Sequence, residues 1–231
     1  MDSDRLLLAT PYSLQVYDEV TSTQDIAASA LAGEPVLIVA GRQTEGRGRS
    51  QRTWQSAPRA MAASLGIHPT WAIDSWPLIP LVAGLAAVDV LGPEIGLKWP
   101  NDLVVGENKI GGILVEGSGA AVVIGCGLNL WWPDPPAGVG ARWVEDPGPS
   151  AILETATTWA EQLMTRLGTT PQSWGRAEYL ERSATVGRRV TWEPNGVGNA
   201  LDVDDRGALV VETENGIEHL LAGEIRHLRA I

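Results

Sequence analysis

Between Leu97 and Leu130 the chain passes through four strand-forming segments, residues 97–99, 103–105, 109–116 and 121–130, with no length left for a helix between any two of them. Strands that adjoin in this way pair with each other. The chain is therefore constrained to an α+β order, a mixed or antiparallel sheet backed by helices, and not a doubly wound one. Pro100 forces Trp99 to be extended and denies the ladder an N–H, so Asn101 and Asp102 should emerge at a strand end. Gly111 and Gly112 remove side chains where a strand is expected to pass close to a ligand. Lys98, Asn101, Asp102 and Lys109 all fall within twelve residues. This suits an anionic substrate lying on a sheet with a cation at its head. Taken alone, an ordinary hairpin with surface lysines would read the same.

A second segment favours the anion. Gly41-Arg-Gln-Thr-Glu-Gly-Arg-Gly-Arg-Ser-Gln-Arg-Thr-Trp54 carries four arginines and three glycines in fourteen residues of a chain whose formal net charge is −11. Arg47, Arg49 and Arg52 alternate with small or polar residues, so the loop can wrap an anion with its N–H groups turned inward. Guanidinium forks match phosphate and carboxylate oxygens. The segment is not a Walker A loop, because Arg47-Gly48 follows Gly46 where Lys-Ser/Thr is required. The acidic surroundings repel a polyanion, which makes nucleic acid a poor partner and a small anion a good one.

The remainder reads as a frame for these two segments. Residues 13–17 form a strand, and Ser22 or Thr23 caps a helix through about Leu31 with Asp25 in its first turn. Residues 35–40 form an apolar strand entering the arginine loop, and 60–67 another strand. A long apolar helix is expected at 76–91, a Pro/Gly/Trp-rich loop at 131–149, and helices near 151–167 and 171–182. From about Ala184 short alternating strands are punctuated by Asn195-Gly196, Asp205-Arg206-Gly207 and Asn215-Gly216, which are hairpin signals. This divides the chain into 1–183, the larger domain, and 184–231, a small barrel. The run from Asp202 to Gly207 resembles a calcium loop superficially. Arg206 and Thr213 stand where ligands are needed, so it reads as a turn.

A hydrophobic fraction of 44 % and a charged fraction of 19 % are globular values. The single cysteine, Cys126, excludes internal disulfides and reads as a small buried hydrophobe. His68, His219 and His227 form no metal-ligand spacing. With no signal peptide and no apolar run of spanning length in this reading, the expected protein is soluble and cytoplasmic, with no membrane partner.

Four motifs, Gly46-Arg47-Gly48-Arg49, Lys98-Trp99-Pro100-Asn101-Asp102, Lys109-Ile110-Gly111-Gly112-Ile113-Leu114 and Gly125-Cys126-Gly127-Leu128-Asn129, occur in one order. In that order and at that spacing the chain resembles the biotin protein ligases over essentially its whole length. The resemblance implies a catalytic domain similar to class II aminoacyl-tRNA synthetases and an SH3-like C-terminal barrel. It implies ATP with Mg²⁺ as cofactors, biotin as substrate, biotinyl-5′-AMP as intermediate, and transfer to a lysine of a biotin carboxyl carrier domain of an acyl-CoA carboxylase.

Under that resemblance Lys109 bridges biotin's carboxylate and the α-phosphate, Arg47 and Arg49 clamp the acyl-phosphate, and Arg52 meets the ATP phosphates. Asn101 and Asp102 orient Lys109, a phosphate or a hydrated Mg²⁺. Lys98 serves the second step or pairs with Asp102. Ser22, Thr23, Gln24 and Gln43 are the polar candidates for biotin, with Gly46, Gly48, Gly112 and Gly125 giving backbone access. Trp54, Asn129 and Trp143 are nucleotide candidates, Trp143 by stacking on adenine.

The chain departs from the family pattern at two places. Gln24 replaces the usual Asn, and Ser50-Gln51 replaces an Arg or His followed by Gly. Lipoate ligases and octanoyltransferases share the expected fold but lack this loop and the Lys-Trp-Pro-Asn-Asp wording. A ligase-repressor would add an N-terminal helix-turn-helix, and about twenty residues before Ser22 are too few for one, so no direct DNA binding is expected. A relative that binds biotin without activating it is the third alternative. Nothing in the sequence decides between monomer and homodimer.

Overall fold

Val36 and Ile38 turn to one face of their strand while Leu37 and Val39 turn to the other, and all four are buried. A strand apolar on both faces must be covered on both, and that sets the layering. In a computed structural model, which describes residues 11–49, 52–221 and 225–227, Val36 and Ile38 pack with Ala27 of a short helix, α1 (Thr23–Ala30). Leu37 and Val39 join the main core on the opposite face.

The main sheet has seven strands: β1 (Ser13–Val20), β2 (Val36–Gln43), β3 (Arg59–Ile67), β4 (Gly96–Lys98), β5 (Asp102–Val105), β6 (Asn108–Ser118) and β7 (Ala121–Trp131). Their order is β1-β2-β3-β7-β6-β5-β4. β1 and β2 are parallel and every other neighbouring pair is antiparallel, so the sheet is mixed as expected. α2 (Ile79–Leu91) and α3 (Ser150–Leu167) cover the main-core face. Ala156, Trp159, Ala160, Leu163 and Leu167 give α3 one apolar stripe at helical spacing, and the Trp159 indole donates to the Ala83 carbonyl at 3.1 Å.

The single helix expected at 76–91 is two elements. A 3₁₀ helix (Ile73–Leu78) contains Pro77, and α2 begins after it. A proline cannot donate to the preceding turn, which separates the two. The stretch Ile73–Leu91 is also long and apolar enough to span a membrane by length and composition, with mean hydropathy 1.5. It is not one apolar helix, however: Pro77 divides it, and α2 alone has 13 residues. α2 is buried on nearly every side within the protein core. The segment expected at 171–182 likewise splits, into a 3₁₀ turn (Pro171–Ser173) and α4 (Arg176–Glu181), because Gly175 between them is left-handed at φ 93°.

The C-terminal strands β8 (Arg189–Trp192), β9 (Gly196–Val203), β10 (Leu209–Thr213), β11 (Gly216–Leu220) and β12 (Ile225–His227) form an antiparallel sheet ordered β11-β10-β9-β8-β12. Its hairpin turns fall at the three predicted turn signals. Asp204 accepts the N–H groups of Arg206 and Ala208, both at 2.9 Å, so the calcium-like run is a side-chain-capped turn. Val190, Ala200, Val203, Leu209 and Val211 belong to the same buried cluster as the main sheet.

Candidate active site

Residues without bulky side chains leave a trough on the sheet where β3, β6 and β7 run side by side. Ala62, Ala63, Gly112, Gly125 and Gly127 line it, together with residues 47–49 and 52–54 of the arginine loop. The cavity measures about 340 Å³. The glycines are there for contact distance. A Cβ on Gly125 would stand 2.8 Å from Gln24 Oε1, and one on Gly127 would stand 3.1 Å from the Trp54 ring. Gly112 faces Lys109, whose Nζ would lie 3.4 Å from such a Cβ. Gly111 differs from the sequence reading: its missing Cβ makes room for Leu128 and the Gly127 carbonyl, at 2.5 and 2.7 Å. It is a packing glycine within the sheet, because successive residues of a strand face opposite ways.

One end of the trough is a polar chain. Ser64 Oγ donates to Thr23 Oγ1 at 2.8 Å, and Gln43 Oε1 accepts from both the Thr23 hydroxyl and its backbone N–H, at 3.0 and 2.8 Å. Gln24 Nε2 donates to Glu116 at 2.9 Å. Ser22 Oγ and Gln24 Oε1 are buried and have no geometrically formed hydrogen bond among the described residues. Buried polar atoms of this kind cost free energy until something fills them, so the pair marks where a polar ligand group belongs. Ser22 is the N-terminal cap residue of α1, but its side chain makes no capping bond. The capping role assigned to it is not used, and the hydroxyl lies beside the Asp25 carboxylate, which it helps to hold low.

The other end is cationic. Lys109 Nζ lies 2.5 Å from Asp102 and 5.8 Å from the Trp54 ring centroid. Arg49 donates to Asn101 Oδ1 at 3.2 Å, and Asn101 also holds β6 through its Nδ2 to the Ile113 carbonyl at 2.7 Å. Lys98 and Arg52 line the same cavity. Asp102 pairs with Lys109 and not with Lys98, which corrects the ion pair considered for Lys98. The loop is folded on itself by Gly48 N–H to the Arg52 carbonyl at 2.7 Å and Trp54 N–H to the Gly46 carbonyl at 2.8 Å. Ser50 and Gln51 lie outside the described residues.

Arg47 lines the same cavity but is paired with carboxylates of its own. It makes a bidentate pair with Asp25 at 2.8 and 2.6 Å and approaches Glu116 at 3.7 Å. The Arg47 guanidinium, outweighing burial, holds the Asp25 carboxyl below the usual carboxylate range. Gly46 does not line the cavity; its bare Cα accommodates Gln43 and Trp54, at 3.0 and 3.2 Å from a hypothetical Cβ. Asn129 and Trp143 also lie outside the cavity walls. Asn129 Nδ2 donates to the Gly140 carbonyl at 3.0 Å, its carbonyl accepts from Arg142, and its Oδ1 is buried without a partner. One face of Trp143 is covered by the Arg142 guanidinium, 5.4 Å from the ring centroid.

Sequence reasoning missed Asp25, Ser64 and Glu116 as neighbours of the site. Cys126, taken as a buried hydrophobe, lines the cavity and is buried, with its thiol pushed well up by desolvation. Among the described residues no group of three His, Cys, Asp or Glu side chains is placed to hold a metal. Asp102 and the Asn101 amide are the oxygen donors beside the cations. That set fits a magnesium ion carried on nucleotide phosphates, since Mg²⁺ is usually held by one or two carboxylates plus phosphates and water.

A cavity with unsatisfied polar atoms at Ser22 and Gln24, and with Lys98, Lys109, Arg49 and Arg52 in its wall, suits a ligand with a neutral polar head and an anionic group. Residues 17–129 match the biotin/lipoate A/B protein ligase family, and residues 185–228 match the biotin protein ligase C-terminal domain. The chain is 34 % identical to the biotin–acetyl-CoA-carboxylase ligase of Mycobacterium tuberculosis, across 94 % of this chain and 89 % of that one. It is 29 % identical to the enzyme of the same name from Paracoccus denitrificans, across 88 % and 97 %. Among solved structures, the biotin protein ligase of Aquifex aeolicus in complex with biotin and ATP superposes with a TM-score of 0.80 at 26 % identity, covering 94 % of this chain and 99 % of that one. The chain belongs to the biotin protein ligase family.

Proposed function

We propose that this protein ligates biotin to a lysine of a biotin carboxyl carrier domain of an acyl-CoA carboxylase, using ATP and passing through biotinyl-5′-AMP. The observation that carries the reading is the polarity of one cavity: Ser22 Oγ and Gln24 Oε1 wait unpartnered at one end, and Lys109, Arg49, Arg52 and Lys98 gather at the other. The first set suits the ureido head of biotin, with Thr23 and Gln43 beside it and Gly112 and Gly125 giving access along the valeryl chain. The second suits its carboxylate and the nucleotide phosphates. The names of the relatives support the substrate and the partner.

In the first step a carboxylate oxygen attacks the α-phosphorus, and the bond to pyrophosphate breaks. Both reactants are anions. Lys109 and Arg49 offset their repulsion and stabilise the charge that gathers on the α-phosphate oxygens. Arg52 holds the outgoing phosphates, and Arg47, released from Asp25, adds to the clamp. Asp102 and Asn101 would hold magnesium, which would supply neutralisation of phosphate charge. In the second step a neutral lysine amine attacks the acyl carbon, the C–O bond to AMP breaks, and the amine loses a proton; Lys98 is the cation nearest that event in this reading. Asn129 and Trp143, outside the cavity walls, are proposed for the nucleotide base.

The reading extends to architecture and setting. Residues 1–183 form the catalytic unit, similar to class II aminoacyl-tRNA synthetases, and 184–231 an SH3-like unit; the seven-stranded mixed sheet and the five-stranded antiparallel sheet support this. The protein works in the cytoplasm, where its substrates meet, without direct DNA contact. The test is pyrophosphate release from ATP with biotin, lipoate or octanoate as the only acid. Biotin-dependent release supports the proposal; release with lipoate or octanoate and none with biotin refutes it.

A further inference from the structure

Trp99 sits between Lys98 and the Pro100-Asn101-Asp102 turn, and its bonds lead away from the cavity. The Trp99 indole N–H donates to the Gly207 carbonyl at 2.9 Å, and its backbone N–H donates to Thr185 Oγ1 at 3.0 Å. Trp99 is 2 % exposed and Thr185 is fully buried. Just before it, Leu97 exchanges two backbone bonds with the 182–184 segment, at 2.8 and 2.9 Å. On its other side Asn101 and Asp102 hold Arg49 and Lys109. The catalytic turn is thus pinned from one side by β6 and from the other by the C-terminal segment.

The acceptor is built for rigidity. Gly207 is left-handed at φ 81°, and a Cβ there would meet Leu81 at 2.9 Å, so the turn seats tightly on α2. Asp204 fixes the turn through the N–H groups of Arg206 and Ala208, and its other oxygen meets His219 Nδ1 at 2.8 Å. Arg176 of α4 ties in the preceding strand through the Val203 carbonyl at 2.7 Å and Asp202 at 2.5 Å. A carbonyl held this way fixes the direction of the indole, and through it the turn that aims Asn101 and Asp102.

The geometry points to Gly207 and Trp99 as positioning residues: the 204–208 turn of the C-terminal sheet sets the angle of the Lys98–Asp102 turn and so the placement of Lys109 and Arg49. The inference rests on reading the cavity as the centre of biotin activation. A centre that depends on angles within about 10–20° loses rate before it loses ligand affinity.

The test compares wild type, Trp99→Phe and Asp204→Ala. Trp99→Phe keeps an aromatic side chain but removes the indole donor. Asp204→Ala loosens the turn without touching the cavity. Biotin-dependent pyrophosphate release is measured with saturating ATP well below each variant's melting temperature, and biotin affinity by calorimetry. The expected result is a kcat at least tenfold lower for Trp99→Phe and about threefold lower for Asp204→Ala, with biotin Kd within about twofold of wild type. A wild-type kcat in either folded variant overturns the inference, as does a loss confined to KM. If Trp99→Phe does not fold, Asp204→Ala decides alone. No release by wild type would instead overturn the proposed function, so the two failures are distinct.

Discussion

Lys109→Ala removes the cation closest to the proposed meeting point of two anions and strips Asp102 of its partner at 2.5 Å. Losing one preorganised charge-stabilising donor typically costs about 10²–10³ in kcat, or roughly 3–4 kcal/mol. The exposed Asp102 carboxylate then adds repulsion toward the phosphate. At about 5 Å and an effective dielectric of about 20 this is roughly 3 kcal/mol as an upper bound. The Asp102 side chain is 24 % exposed, and water screens part of that term. The expected single-variant loss is therefore about 10³–10⁴ in the rate of pyrophosphate release. The ion pair also dictates the second half of the experiment. In Lys109→Ala/Asp102→Asn the repulsion is gone, and so is the carboxylate proposed beside magnesium, so with magnesium saturating the rate should recover about tenfold relative to Lys109→Ala. The assay is single-turnover pyrophosphate release with biotin saturating. Near-wild-type release by Lys109→Ala would refute the assignment of this lysine. A double variant slower than Lys109→Ala would refute the claim that Asp102 acts against the reaction once unpaired.

Three further outcomes follow from the side-chain geometry. Arg49→Gly removes the bond from the loop to Asn101, so biotinyl-AMP should form but escape; mass spectrometry of bystander proteins would then find biotinylated lysines, and a pattern like wild type would contradict this. Because the folded pKa of Asp25 is depressed by Arg47, the pair contributes stability above the ordinary carboxylate value near 4, and that contribution fades as pH falls through the folded pKa. NMR titration should show the Asp25 midpoint rising in Arg47→Ala, and an unmoved midpoint would show that another group depresses it. Arg166 bridges Asp89 at 2.7 and 2.8 Å and Glu178 at 2.7 and 3.0 Å. Arg166→Ala leaves two carboxylates facing each other, a loss of about 2 kcal/mol after allowing for their partial exposure, or roughly 4–8 °C in Tm; an unchanged melting curve would contradict it.

What the sequence made legible is what local rules govern. The four strands after Leu97, the turns at Asn195-Gly196 and Asn215-Gly216, and the closeness of Lys109 to Asn101 and Asp102 rest on periodicity, turn chemistry and short spacing. Pro77 was also legible in principle as the break between the 3₁₀ helix and α2. Contacts across long stretches of chain were not. Gln24 meets Glu116 ninety-two positions away, Ser64 meets Thr23 forty-one away, and Trp99 meets Gly207 a hundred and eight away. Each depends on strand order, which no local pattern fixes. Gly111 and Gly112 are a sharper case. Adjacent and chemically identical, they differ only in which face of β6 each occupies, and only the paired sheet decides that Gly112 opens the cavity while Gly111 packs the core. Arg47 belongs here too: its place in the motif gives no hint of the bidentate pair that the fold lets it make with Asp25 on α1.

The most direct test of the central claim is the intact mass of a purified biotin carboxyl carrier domain after incubation with this protein, ATP, Mg²⁺ and biotin. One biotinyl increment is expected, on a single lysine, that disappears when ATP is omitted and when Lys109 is replaced by Ala. A carrier of unchanged mass, under conditions where the protein still binds biotin, would contradict it and leave a biotin-binding protein without ligase activity.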